Sequence, residues 1–297
     1  DQAEILLVLI PNQLLESLRS KFMSLTTNII VPIKSERRSW LIYNKNPSND
    51  LKISVAIHKS CKLPELSNCY QQIHAGKKIS QIDLGIPGDD TGTNISELNP
   101  WINELTAIYW IWKNDRHDFI GLSHYHRFFA SPKSHRNDFA PLNSTEALEI
   151  LEDYDIILGD PAIFLGTIHY QAPQNQEAYN LAMEIVERCL KTYQPDYLET
   201  FNSAKSIRRM FPRNMFVTRW KIFDAYCEWL FSFLIPATDE FSKLGFDARD
   251  SRSVGYIGER CLTIFALKNL LRIKTLPIGE GDFDDIKKFF QIGRAHV

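Results

Sequence analysis

Short apolar runs alternate with longer amphipathic stretches from Leu51 to Ile278, and this alternation limits the possible folds more than any other feature of the chain. "KISVAIHK" is alternating and β-branched, which predicts a strand presenting His58 and Lys59 at its end. In "NELTAIYWIWKN", Leu105, Ile108, Tyr109 and Trp112 recur with the spacing of one helix face. "DFIGLSHY" predicts the next strand, "ALEILEDY" a helix, "DIILGDP" a strand and "QNQEAYNLAMEIVERCLKTY" an amphipathic helix. "RNMFVTRW" reads as a strand, "KIFDAYCEWLFSFLI" and "GYIGERCLTIFALKN" as helices, and "IKTLPI" as the last strand. Between the first strand and the first helix, "GIPGDDTGTNISELNP" fits no regular element and reads as a long loop. The pattern predicts an α/β sheet with mostly parallel strands flanked by helices. Ligands on such sheets sit beyond the carboxyl ends of the strands, where His58, Lys59, His124, Tyr125, His126, Arg127 and Asp160 fall.

Composition removes several function classes. Hydrophobic residues make up 44% of the 297 and charged residues 24%, the balance of a folded chain. A net charge of -2 argues against a general nucleic-acid binder but leaves room for a local basic patch on an anionic ligand. Five scattered cysteines without a CxxC pair suit reduced thiols in the cytoplasm. No apolar run approaches the roughly 18 residues of a bilayer span, and no signal peptide is visible. Residues 1–50 ("ILLVLI", then a helical stripe of Leu15, Leu18, Phe22 and Leu25, then "NIIVPI") read as the end of an upstream α/β domain with the linker "NKNPSND". The main domain is expected over 51–280 and a tail over 281–297, whose final "IGRAHV" resembles one frame of a sequencing adapter.

Five stretches carry chemistry. "GDDTGTNIS" sets Asp89 and Asp90 in a Gly-rich loop, able to hold a metal or sugar hydroxyls, although the same residues are turn formers. Glu104 in "NELT" opens a helix, where its charge suits the dipole. "SHYHR" is the strongest signal. His124 and His126, two apart, point the same way on an extended strand and can ligate zinc; Arg127 offers a planar fork for phosphate. The alternative is polar side chains capping a strand. "GYIGERC" places Glu259 and Arg260 in the first turn of a helix, as a general base facing a pocket or as a surface pair. His169 and Tyr170 in "TIHYQAP" line a sugar site or pack inside.

Taken in order, "VAIHK", "DDTGTNIS", "NPWINELTAIYWIWKN", "FIGLSHYHRFF", "NMFV", "FDAYCEWLF" and "GYIGERCLTIF" resemble a bacterial capsular and exopolysaccharide synthesis domain associated with galactofuranosyl transfer. The resemblance runs from about Lys52 to Ile278. It implies an A-type glycosyltransferase fold and a UDP-sugar donor, above all UDP-galactofuranose. It also implies inverting transfer to a lipid-linked or oligosaccharide acceptor in capsule, exopolysaccharide or O-antigen assembly. The expected location is the cytoplasm, with peripheral contact to the inner face of the cytoplasmic membrane. On this resemblance His58, Lys59, Asp89, Asp90, Asn94, Glu104, His124, His126 and Arg127 face the donor, and His169, Tyr170 and Asn214 the acceptor. Glu259 is the expected base, followed by Asp90 and Asp89. An Asp-x-Asp element is missing, and the family's usual His-Tyr-Arg-Arg reads His124-Tyr125-His126-Arg127 here. The expectation is therefore that cationic side chains, a protonated His126 among them, meet the diphosphate without a divalent ion; the alternative is an ion on His124 and His126. Two other classes stay open: a metal-dependent hydrolase recruiting His58 and His169 to that pair, and a glycan-binding module without catalysis.

Overall fold

The structure is a computed structural model that describes residues 50–134, 139–163, 175–247 and 250–281. The strand–helix–strand expected in residues 1–50, the end of the tail, and His169 and Tyr170 lie outside the described residues.

β1 (Leu51–Ile57) is buried at every position but Lys52, as an apolar, β-branched run between two other strands must be. It pairs in parallel with β2 (Tyr70–His74) on one side and with β3 (Phe119–His124) on the other. β3 turns through Tyr125 and His126 into β4 (Arg127–Phe129), which pairs antiparallel with β10 (Ile278–Glu280). Beyond β3 come β8 (Phe216–Arg219), β5 (Ile156–Gly159) and β9 (Ile273–Leu276). The β3–β8 and β5–β8 ladders are antiparallel and β5–β9 is parallel. Six of the eight strands therefore share one direction, and β4 and β8 run against it. β6 (Ala162–Ile163) and β7 (Arg209–Met210) form a separate antiparallel pair.

Side chains alternate across this sheet and feed apolar clusters on both faces. Ile120, Leu122, Ile156, Leu158 and Phe216 face α1 (Asn99–Ile102), α2 (Leu105–Asn114), α4 (Gln176–Tyr193), α5 (Leu198–Ala204), α6 (Trp220–Ser242) and α7 (Ser253–Lys268). Ile53, Ile157 and Val217 face the opposite way, against α3 (Ser144–Asp153). A reciprocal capping pair starts α3: Asn143 Oδ1 accepts from the Glu146 amide at 3.0 Å, and Glu146 accepts from the Asn143 amide at 3.3 Å.

Four boundaries differ from the sequence reading. β2 escaped it because Gln71 and Gln72 break the apolar run. The long loop ends early, in a single 310 turn at Ser96–Leu98 followed by α1; Pro100 sits in the first turn of α1, where its missing N–H costs nothing. "IKTLPI" divides at Pro277 into β9 and β10. α7 begins at Ser253, so Glu259 lies in its second turn rather than its first.

Gly121 at the centre of β3 marks a tight backbone approach in the sheet: a Cβ there would lie 2.8 Å from the Phe216 carbonyl oxygen and 3.2 Å from Ile53. Backbone cannot yield to it as a flexible side chain would. Gly121→Ala should lower the unfolding free energy by roughly 1–3 kcal/mol, the range for overpacking a tight interior. Urea unfolding reads this; an unchanged midpoint contradicts it.

Candidate active site

The two reversed strands decide what reaches the carboxyl edge of the sheet. β1, β2 and β3 deliver His58, His74 and His124 there by their ends, whereas β4 and β8 deliver Arg127 and the Arg213–Asn214 turn by their beginnings. β10 ends at the same edge with Glu280, which pairs in register with Arg127.

Glu104 is set by a break in the chain. Asn103, with φ 52° and ψ −132°, separates α1 from α2 and leaves Glu104 at the head of α2. α7 can pack flush on this bend because its facing residues are glycines. A Cβ on Gly255 would lie 3.0 Å from the Trp101 carbonyl oxygen, and one on Gly258 would lie 2.5 Å from Leu105 Cδ1. Glu259 follows directly and is brought beside Glu104.

The turn before β8 ties these groups together. Arg213 (φ 78°) and Asn214 (φ 50°) are both left-handed; asparagine tolerates this region, but arginine held there costs on the order of 1–3 kcal/mol. In return, the Arg213 amide donates to Glu259 Oε2 at 3.2 Å and Asn214 Nδ2 donates to Glu104 Oε1 at 2.8 Å. His124 Nε2–H donates to the Arg213 carbonyl at 2.6 Å, which fixes the ring's tautomer. Each carboxylate thus takes a hydrogen bond from one of two consecutive residues.

Burial pushes both carboxyls above the usual carboxylate range, and for Glu259 the negative charge of Glu104 adds to it. Burial also lowers the imidazoles, His124 to about 4 and His126 to about 4, with the Arg127 charge acting in the same direction. His58 is lowered too, by burial and then by Lys59. The cations of the site are therefore arginines. Arg127 Nε meets Glu280 Oε1 at 2.7 Å, and Arg213 Nη2 meets Glu280 Oε2 at 2.8 Å. Burial works against the Glu280 charge, but the Arg127 hydrogen bond and charge outweigh it and hold this carboxyl below its usual range.

Several sequence expectations change in this geometry. His124 ends β3 while His126 sits in the β3–β4 turn, so the two rings do not share a strand face; their centroids are 6.3 Å apart. His124 Nε2 is committed to a carbonyl, and among the described residues no group of three or more His, Cys, Asp or Glu that could hold a metal ion supports the alternative of an ion on His124 and His126. Burial and then the Arg127 charge lower His126 to about 4, which favours its neutral form over the protonated one expected. Asp89 is fully buried and accepts from the Gly76 and Lys77 amides at 2.9 and 3.1 Å, from Thr106 Oγ1 at 2.6 Å and from Ser96 Oγ. Its lone pairs are spent on the loop, so it anchors structure and cannot serve as a base. Asn94 does the same locally, donating to the Asp90 and Gly92 carbonyls at 3.1 Å each.

The other expected residues are distributed as follows. Glu104, Glu259, His124, Arg127 and Asn214 converge; Asn214, only 1% exposed, holds Glu104 and is too deep for an acceptor contact. His58 and Lys59 lie at the rim beside Tyr125, the His58 ring 5.2 Å and Lys59 Nζ 5.3 Å from its centroid. Asp90 keeps a half-buried carboxylate at the loop. Arg213, Glu280 and His74 were missed. The Pro212-Arg213-Asn214 sequence signalled a turn, but it was absorbed into the strand reading.

The raised carboxyls carry a stability cost with a definite sign. In the unfolded chain Glu259 ionises near the ordinary value of about 4.3; in the folded chain it keeps its proton to higher pH. Stability therefore falls as pH rises between those two values. Glu259→Gln, which does not titrate, should gain stability over the parent progressively above about pH 4.3 and show no gain below it. Thermal unfolding against pH reads this, and a pH-independent difference contradicts it.

Residues 52–270 match the model of a family described as a domain of unknown function, DUF4422. Among solved structures the chain is similar to the apo structure of WbbM, a bifunctional glycosyltransferase, with a TM-score of 0.66 and 28% identity. The match covers 77% of this chain and 45% of that one, so the chain spans under half of WbbM's length. No curated protein matches. The family model takes in β1, the Asp89–Asp90 loop, Glu104, Arg127, the Arg213–Asn214 turn and Glu259, and the chain belongs to the DUF4422 family.

Proposed function

We propose that this chain is an inverting glycosyltransferase that moves a sugar, galactofuranose in the fullest form of the reading, from a UDP-sugar to a growing surface glycan. The observation that carries it is the juxtaposition of a carboxylate of raised proton affinity, Glu259, with paired guanidinium groups at the carboxyl edge of the sheet. The likeness to a bifunctional glycosyltransferase supports the class of reaction.

In this reading the donor diphosphate lies against Arg127 and Arg213, whose forks Glu280 occupies in the absence of ligand. Guanidinium groups, rather than a divalent ion, meet the charge that develops on the departing UDP. The acceptor hydroxyl oxygen bonds to the anomeric carbon on the face opposite the diphosphate. As the carbon–oxygen bond to the phosphate breaks, its electron pair leaves with UDP, and the hydroxyl proton passes to Glu259. The acceptor is a lipid-linked or oligosaccharide glycan reached at the inner face of the cytoplasmic membrane by peripheral contact. Among the described residues no helix is long and apolar enough to cross a membrane.

Two variants and one assay test the proposal. Arg127→Ala should weaken UDP binding about tenfold or more, from a charge-assisted hydrogen bond of roughly 1.5–3 kcal/mol; calorimetric titration giving the parent affinity contradicts the donor assignment. With UDP-galactofuranose among the donors, acceptor-dependent UDP release identifies the transferase. Glycan binding without release identifies a binding module instead. Glu259→Gln should lower turnover roughly 100-fold or more while sparing UDP binding, and near-normal turnover removes Glu259 as the base.

A further inference from the structure

The proposed transfer gives Glu104 no task, yet its carboxylate is the most deliberately placed of the site. The left-handed break at Asn103 frees it from the helix run, two glycines of α7 let Glu259 approach it, and Asn214 donates its amide to it. Asn214 is buried in a strained turn, and its own Oδ1 has no hydrogen-bond partner, so its amide is spent on orienting Glu104 alone. We propose that Glu104 is a positioning residue for the transfer: fixed across the Arg213–Asn214 turn, its carboxylate acts on Glu259 as a neighbouring negative charge, in addition to burial.

The surroundings determine which of the two ionises first. Glu104 takes the 2.8 Å Asn214 bond and faces Arg127 of β4 and Arg252 ahead of α7, with the buried Tyr226 of α6 also near it. Glu259 takes only the longer Arg213 amide bond; it faces a neutral His124 from β3 and the Arg213 and Arg260 cations. Glu104 therefore releases its proton at lower pH, and its charge then opposes ionisation of Glu259. A base with its proton affinity raised toward the working pH is the stronger one for taking a hydroxyl proton. Burial is the larger cause of the raised proton affinity of Glu259, and the Glu104 charge adds to it.

This rests on Glu259 being the base of the proposed transfer, and the test separates the two. The pH profile of kcat/KM is measured for the parent, Glu104→Gln and Glu104→Asp, alongside a carbon-13 titration of the Glu259 carboxyl by NMR in the full chain. Glu104→Gln should move both the acid limb and the Glu259 titration to lower pH by about one unit or more, the range for removing a like charge at close quarters. Glu104→Asp, which keeps the charge, should hold both closer to the parent. Lowered kcat with an unmoved limb and an unmoved titration assigns Glu104 a purely structural role and overturns the inference. If Glu104→Gln is inactive, the NMR titration alone decides. If Glu259→Gln keeps turnover while the Glu259 titration still shifts in Glu104→Gln, the base assignment fails and the coupling of the two carboxyls stands.

Discussion

The paired hydrogen bonds of the Arg213–Asn214 turn hold this site together. One residue grips Glu259 through its backbone and the next grips Glu104 through its side chain. The carbonyl of the first also fixes His124, and its guanidinium joins Arg127 on Glu280. Two left-handed residues in succession are an unfavourable way to begin a strand. The surrounding sheet, tight enough at Gly121 to exclude a methyl group, supplies the stability that keeps the turn in place. Strain concentrated where ionisable groups meet is a recurrent property of functional sites.

The reversed strand β8 explains why this arrangement needs an α/β sheet of mixed direction. In a purely parallel sheet only strand ends and the loops after them reach the carboxyl edge. By running against its neighbours, β8 brings the start of a strand to that edge, with a turn whose amide groups point at carboxylates from α2 and α7. β4 does the same for Arg127. The guanidiniums and the buried carboxylates thus come from different elements and meet without competing for the same backbone.

The fold class was legible in the sequence because buried strands and amphipathic helices leave different apolar periods, and most long elements fell where those periods put them. β2 was hidden because Gln71 and Gln72 carry polar groups within a strand, and α7 was entered late because its reading began at Gly255, two residues beyond its start at Ser253. Of the site, Glu259, Arg127 and Glu104 were visible as charged residues beside apolar runs. The geometry that gives them meaning was not. Spacing alone suggested that His124 and His126 act together, but a chain reversal between them cannot be read from an i, i+2 pattern. The Asp89–Asp90 pair looked like one feature; burial and hydrogen bonding divide it into an anchor and a half-buried carboxylate. The pairing of Arg213 with Glu280 joins residues 67 apart and had no local signal.

The most direct test of the account is a crystal structure of this chain with UDP. The account predicts the diphosphate on Arg127 and Arg213, Glu280 displaced from both guanidiniums, and the β-phosphate end directed toward Glu259. A nucleotide whose diphosphate lies instead on a metal ion at Asp90, with the Arg127–Glu280–Arg213 bridge intact, would contradict it.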